Sequence, residues 1–192
     1  MRIPVQAVLI CAFLAPLACD SPVQPSSTSN RGIQIRAAVA DRRGYSARGV
    51  GHYLLQGTWD VKFEFAAESG NGDHANGEFR QSTTFDNGTM DISARVTCLA
   101  VDAVNGRAWI GGVVKENRST SPDYQVPITA PGQDVWFRVL DARDVPGAVD
   151  RSTFLGFVGS FPSSAAYCAQ QPWADGNART HPVTTGEIEV VP

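Results

Sequence analysis

Trp59-Asp60-Val61-Lys62-Phe63-Glu64-Phe65 spaces its apolar side chains two residues apart and places a charge in every gap. Side chains of an extended backbone point alternately to opposite faces, so this row is apolar on one face and charged on the other. That is the pattern of a strand with one face on a core. Outward from it the pattern repeats. Glu68 to Gly77 is turn-rich, and Glu78 to Phe85 reads as a second strand. Asp86-Asn87-Gly88 is a hairpin signal, because Asn-Gly adopts positive φ readily. Met90, Ile92, Ala94, Val96 and Cys98 fall on one face of a third strand. The apolar positions then shift to Leu99 and Val101, which predicts a bulge or an edge crossing.

Further strands are expected at Arg107–Val114, Val135–Leu140, Thr153–Gly159 and Gly186–Val191, with a short one at Tyr124–Ile128 inside the polar, Pro-containing stretch 115–133. Gly111-Gly112 marks a bend or a close backbone approach. Residues 141–150 read as loop, and Ser160–Pro182 as irregular. No stretch has sustained helical periodicity. Short strands punctuated by Gly, Pro and Asn turns predict an all-β fold, an antiparallel β-sandwich or barrel of roughly seven to nine strands.

The 192-residue chain has a net charge of −3, with 18 Gly, 12 Pro and 18% charged residues. Its length suits one domain with a real core. A mild acidic balance gives no basic face for nucleic acid. Met1-Arg2 followed by an uncharged run to Ala18, with an apolar centre at Val8–Leu14, has the anatomy of a secretory signal. Ala15-Pro16-Leu17-Ala18-Cys19 resembles the bacterial lipobox, in which a small residue precedes a cysteine that receives diacylglycerol. Pro16 stands where that motif normally has an apolar residue. The expected organisation is a signal peptide at 1–18, lipid attachment at Cys19 with a linker over 19–50, and a single β domain over 51–192. Asp20–Asn30 is almost all Ser, Pro, Thr and Asn, a tether composition. Export would place Cys98 and Cys168 where disulfides persist, and after cleavage they are the pair left over beside Cys19.

Val96-Thr-Cys-Leu-Ala-Val-Asp-Ala-Val-Asn-Gly-Arg-Ala-Trp-Ile-Gly-Gly112 resembles a pattern in uncharacterised secreted bacterial β-proteins, V-x-C-L-x-V, a turn, then A-x-I-G-G. The likeness covers residues 77–160 and includes a later strand running into Asp141. Ala94 stands where those proteins commonly have glycine. Asp141-Ala-Arg-Asp144 replaces their usual acidic, Gly-rich loop. The resemblance implies an exported β-domain with the cysteine inside a strand, and no activity. Gly57-Thr58-Trp59 is similar to the G-x-W that opens the first strand of lipocalin and avidin-type barrels, where the Trp closes one barrel end.

Chemistry-bearing residues are scattered. His52, His74 and His181 sit in no metal-binding spacing. No G-x-S-x-G elbow occurs. Asn71, Asp73, Asn76 and Glu78 offer oxygens for calcium, but not at EF-hand spacing. Asp102, Asp134, Asp141, Asp144 and Asp150 are the carboxylates available for paired acid–base work, which needs them roughly 5–10 Å apart. Asn87 and Asn117 head glycosylation sequons. Trp59, Trp109 and Trp136 lie on strands and are expected in the core. Trp173 lies in the irregular Gln170–Gly176 stretch and is the aromatic to watch. No catalytic, cofactor or metal residue is assigned, and the expected partners are a membrane, through the lipid, and a protein or small-molecule ligand. The expected function is a non-enzymatic envelope module for structure or binding. The alternatives are a lipocalin-like carrier of a small apolar ligand and an envelope hydrolase without a recognisable motif.

Overall fold

The computed structural model describes residues 44–69 and 74–191. The signal-like segment, Cys19, the Ser/Pro stretch and Asn71–Asp73 lie outside these. The strands are β1 (Ser46–Leu55), β2 (Trp59–Ser69), β3 (Ala75–Phe85), β4 (Gly88–Asp102), β5 (Arg107–Asn117), β6 (Asp134–Leu140), β7 (Arg151–Thr153), β8 (Gly156–Phe157) and β9 (Thr180–Val191). One seven-residue helix, α1 (Ser164–Gln170), lies between β8 and β9. Strands β1 to β7 pair antiparallel in chain order, β7 pairs with β9, and β9 returns to β1. The result is a closed eight-stranded barrel, with β8 added to β6 beyond the end of β7. Of the two expected architectures, the barrel is the one formed.

An eight-stranded barrel is just wide enough for side chains to fill. Here they do. Val61, Phe63 and Phe65 of β2 point inward, as their spacing predicted, and meet Phe79, Ile92, Ile110 and Phe137. Phe137 lies 5.3 Å from Phe65 and 4.9 Å from Phe79 between ring centroids. At another part of the interior, Phe85 stacks on Tyr124 at 5.6 Å and contacts Trp59 edge-on at 5.4 Å, with Phe154 against both Phe85 and Tyr124. Outward-facing Lys62, Glu64, Glu78 and Arg80 carry charge, the opposite of the apolar band a lipid-spanning barrel presents. No helix among the described residues is long and apolar enough to cross a membrane.

Several expectations need correction. The barrel begins at Ser46, so residues 46–50 belong to β1 and not to the linker. Two inward positions of that strand are Gly49 and Gly51. A Cβ on Gly49 would lie 2.6 Å from the Phe65 ring, and one on Gly51 would lie 3.0 Å from the Phe63 ring. The rings of β2 occupy the space that β1 leaves, and the apolar alternation is therefore invisible there. Trp59 consequently opens the second strand, not the first. The stretch 124–128 forms no strand. Two 3-10 turns, Pro122–Tyr124 and Pro127–Thr129, take its place. Thr153–Gly159 is broken into β7 and β8, and the closing strand starts six residues before Gly186, at Thr180.

The predicted bulge is present between Val96 and Cys98, and it acts one residue earlier than the apolar pattern suggested. Val96 faces the core, whereas Cys98 faces out, and Leu99 and Val101 return to the core. An extra residue reverses the alternation. Cys98 and Cys168 of α1 lie at bonding distance, with S–S 2.05 Å. α1 sits on the outside of β5, where Gly111 leaves the room: a Cβ there would lie 2.6 Å from Cys98 Sγ and 2.8 Å from Ser164 Cβ. Gly112 faces the other way, and its Cβ would lie 2.2 Å from the Arg95 carbonyl oxygen. The two glycines thus serve two different close approaches.

Candidate functional site

Strands β5 and β6 read apolar at successive positions because both their faces are covered. Inward, Ala108, Ile110, Val135, Phe137 and Val139 join the main core. Outward, Trp109 and Trp136 form a second cluster with Tyr167 of α1, and Phe161 and Trp173 pack on it. Tyr167 stacks on Trp136 at 5.6 Å. The helix begins at Ser163, whose hydroxyl accepts from Ala166 N at 3.1 Å, a side-chain cap that satisfies one of the free N–H groups of the first turn. Asp134 accepts from Ser164 N at 2.9 Å and from its hydroxyl at 2.5 Å.

Beyond the helix, residues 171–179 fold back over the same wall. Gln171, Trp173 and Arg179 have positive φ (43°, 58° and 62°), conformations that non-glycine residues adopt only at a cost. Guanidinium groups hold the loop down. Arg138, from β6, is 1% exposed. It donates to the carbonyls of Trp173 and, at 2.8 Å, Ala178. Arg107, from β5, donates to the Ala174 carbonyl. Arg151, from β7, donates to Thr180 Oγ1 and O at 2.8 and 2.9 Å. Trp109 Nε1 donates to the Pro172 carbonyl at 2.9 Å. Arg179 lies over the Trp173 ring, 4.9 Å from its centroid, and Arg138 lies 5.9 Å away, both within cation–π range. Burial lowers the Arg138 pKa from its ordinary value, and neighbouring Arg107 lowers it further.

Four of the five carboxylates singled out from sequence accept from backbone groups, and Asp144 is exposed. Strand β7 covers β9 only over Thr180–Pro182, so later N–H groups of β9 lack a ladder partner on that side. Asp150 accepts from Ile188 N at 2.7 Å and from Ala142 N at 2.8 Å. Asp141 accepts from Val190 N and from Arg143 N, both at 3.0 Å, and pairs with the Arg143 guanidinium. Asp102 holds the turn at Asn105. Burial tends to raise the Asp141 pKa, but the hydrogen bonds and charge of Arg143 and the Val190 N–H outweigh it and leave the pKa below its ordinary value. Stability from such a group is present above the unfolded carboxylate pKa and is lost as pH falls through the lowered folded pKa. Asp141→Asn is therefore expected to destabilise the barrel at neutral pH, with the gap to wild type closing in acid. Urea midpoints of both proteins from pH 7 to pH 2 test this; a gap that does not change with pH would count against it.

The histidines stay apart. His52 Nδ1 lies 3.1 Å from Asp60 Oδ2 on the outer wall, and His74 is exposed. His181 stacks on Tyr53 at 5.3 Å. Burial and the Arg151 charge hold its pKa below the ordinary value. Among the described residues, no three His, Cys, Asp or Glu side chains are grouped to hold a metal ion. Glu78 pairs with Lys115. The sequon asparagines tie down the loop after β5: Asn117 donates to the Tyr124 and Thr129 carbonyls at 2.7 and 3.0 Å, and Asn87 bonds Asp123 and Ser121 at 3.0 Å.

Trp173 was visible in the sequence as an aromatic in an irregular segment. The arginines around it were not, because they come from β5, β6, β7 and the edge of β9. Of the sites the sequence offered, this outer loop is where aromatic and charged groups converge. No family model, curated protein or solved structure matches the chain.

Proposed function

We propose that this chain is an exported cell-envelope binding module, lipid-anchored at Cys19 and spaced by the Ser/Pro stretch 20–30, that works through the outer surface around Trp173. The observation that carries the reading is the filled barrel. A closed eight-stranded barrel is the architecture a lipocalin-like carrier needs, but Phe63, Phe65, Phe79 and Phe137 occupy the space such a carrier leaves open. Catalysis needs titratable groups meeting at one place with free valence; here the histidines stay apart, and Asp141 and Asp150, neighbours along β9, are taken up by its N–H groups and, for Asp141, by Arg143. The outer face is what remains for recognition. The Cys98–Cys168 pair suits an oxidising compartment, which agrees with the signal-like N-terminus.

Expression of the full chain in a lipoprotein-processing bacterium tests the anchor. Wild type is expected in the membrane fraction with added lipid mass, and Cys19→Ser in the soluble fraction. Unchanged partition of Cys19→Ser, with no lipid mass on wild type, would sink the anchor. Stoichiometric uptake of an apolar fluorophore by the folded protein would overturn the filled-barrel reading in favour of a carrier.

A further inference from the structure

Outside residues 171–180 and the arginines that contact them, four of the five arginines among the described residues are paired with acids, Arg95 on β4 being the exception. Arg48 meets Glu189, Arg80 meets Asp91, Arg118 meets Glu116, and Arg143 meets Asp141 and Glu189. The four arginines around residues 172–180 are different. Among the described residues, Arg107, Arg138, Arg151 and Arg179 have no carboxylate partner, and three of them donate only to neutral oxygens of the loop and of Thr180. A carbonyl satisfies an N–H but leaves the cation's charge uncompensated. Arg107 bears on the buried Arg138 as a like charge, and cations that contact one loop without an acid partner favour an anion that joins them. Asp175 is the one acidic residue within the loop. Arg179 is exposed and makes no hydrogen bond among the described residues. Its guanidinium is held in place by the Trp173 ring, and its donors remain available. A planar guanidinium fixed at one angle suits bidentate contact with an oxyanion.

We propose that Arg179, seated on the Trp173 ring that Arg138 also faces, in a loop tied down by Arg107 and Arg151, forms a binding site for an oxyanion, the phosphate or carboxylate group of a small ligand. Arg138, buried beneath, supplies field and holds the loop. The proposal gives a ligand class to the outer-face reading above and rests on it, but the two fail separately.

Isothermal titration calorimetry on the purified full-length protein tests it, with inorganic phosphate and citrate as probes and chloride at matched ionic strength as reference. Saturable heat is expected with at least one probe and none with chloride. Arg179→Gln is expected to weaken binding about tenfold, since hydrogen bonds to charged groups are the stronger kind. Arg118→Gln, just past the end of β5 and paired with Glu116, should bind as wild type. Arg179 is exposed, so its substitution should leave the circular dichroism unchanged. Arg107→Gln gives a second reading at the same loop. Absence of saturable heat with both probes would overturn the proposal. Wild-type affinity in both Arg179→Gln and Arg107→Gln would do the same. A chain that binds phosphate but is not released by Cys19→Ser would lose the anchor and keep this site. A chain that is released but gives no heat would lose this site and keep the anchor.

Discussion

Phe137→Ala is expected to cost the barrel about 3–5 kcal/mol, the range for truncating a fully buried aromatic. Phe137 is 1% exposed and stands between Phe65 of β2 and Phe79 of β3, reaching across the barrel from β6. Its removal leaves a void lined by residues from three strands whose backbones are fixed by ladders on both sides. Such a site collapses poorly, which places the cost toward the upper part of the range. Urea unfolding reads it: the midpoint should fall while the slope stays near wild type, since the surface exposed on unfolding hardly changes. A loss below about 1 kcal/mol, within the range of ordinary substitutions, would mean that the interior is loosely packed. It would also reopen the carrier reading, because a barrel that tolerates a missing ring has room for a guest.

What the sequence disclosed depended on how many faces a strand buries. Trp59–Phe65 has one face in the core and one in water, so its alternation is clean. The inward face of β1 is partly glycine, because Phe63 and Phe65 reach across to it, and alternation cannot be read where the inner side chains are missing. Strands β5 and β6 carry Trp109 and Trp136 on their outer faces under α1, and apolar residues at successive positions signal burial on both sides. That signal was legible in Ala108-Trp-Ile and Val135-Trp-Phe, and it implies a covering element that the sequence did not otherwise announce. The helix is seven residues long, too short for periodicity. Its trace is the spacing of its buried residues, Ser164, Tyr167 and Cys168. The arginine cluster left no local trace, because Arg107, Arg138 and Arg151 reach residues 173–180 only through the closure of the barrel and the fold-back of the loop.

The link between the bulge in β4 and the covering helix predicts the second large effect. Without the extra residue near Thr97, Cys98 would continue the inward row of Val96 and could not reach α1. The bulge turns it outward, beneath a helix that Gly111 lets approach. The crosslink joins residues 70 apart in sequence, and in the chain-entropy account closing a loop of that length stabilises the fold by about 4 kcal/mol. Cys98→Ser with Cys168→Ser, which leaves no odd thiol between them, is therefore expected to lower Tm by about 8–16 °C for a domain of this size. The effect should be uneven. The apolar cluster inside the barrel includes neither cysteine, Cys98 lying on the outer face of β4, so far-ultraviolet circular dichroism should still report strands below the new Tm. The outer layer rests on Tyr167, Trp109, Trp136 and the guanidinium–carbonyl contacts of the 172–179 loop, and it should loosen first. Tryptophan fluorescence would then shift to the red, and hydrogen exchange would quicken in residues 163–179 ahead of the strands. Reduction of the wild type should reproduce both changes. If the double variant and the reduced protein keep the wild-type Tm and the same protection over 163–179, then aromatic packing and the arginines suffice to seat the helix. In that case the anion proposed for Arg179 would bind to a loop already rigid, instead of to one that the crosslink holds in place.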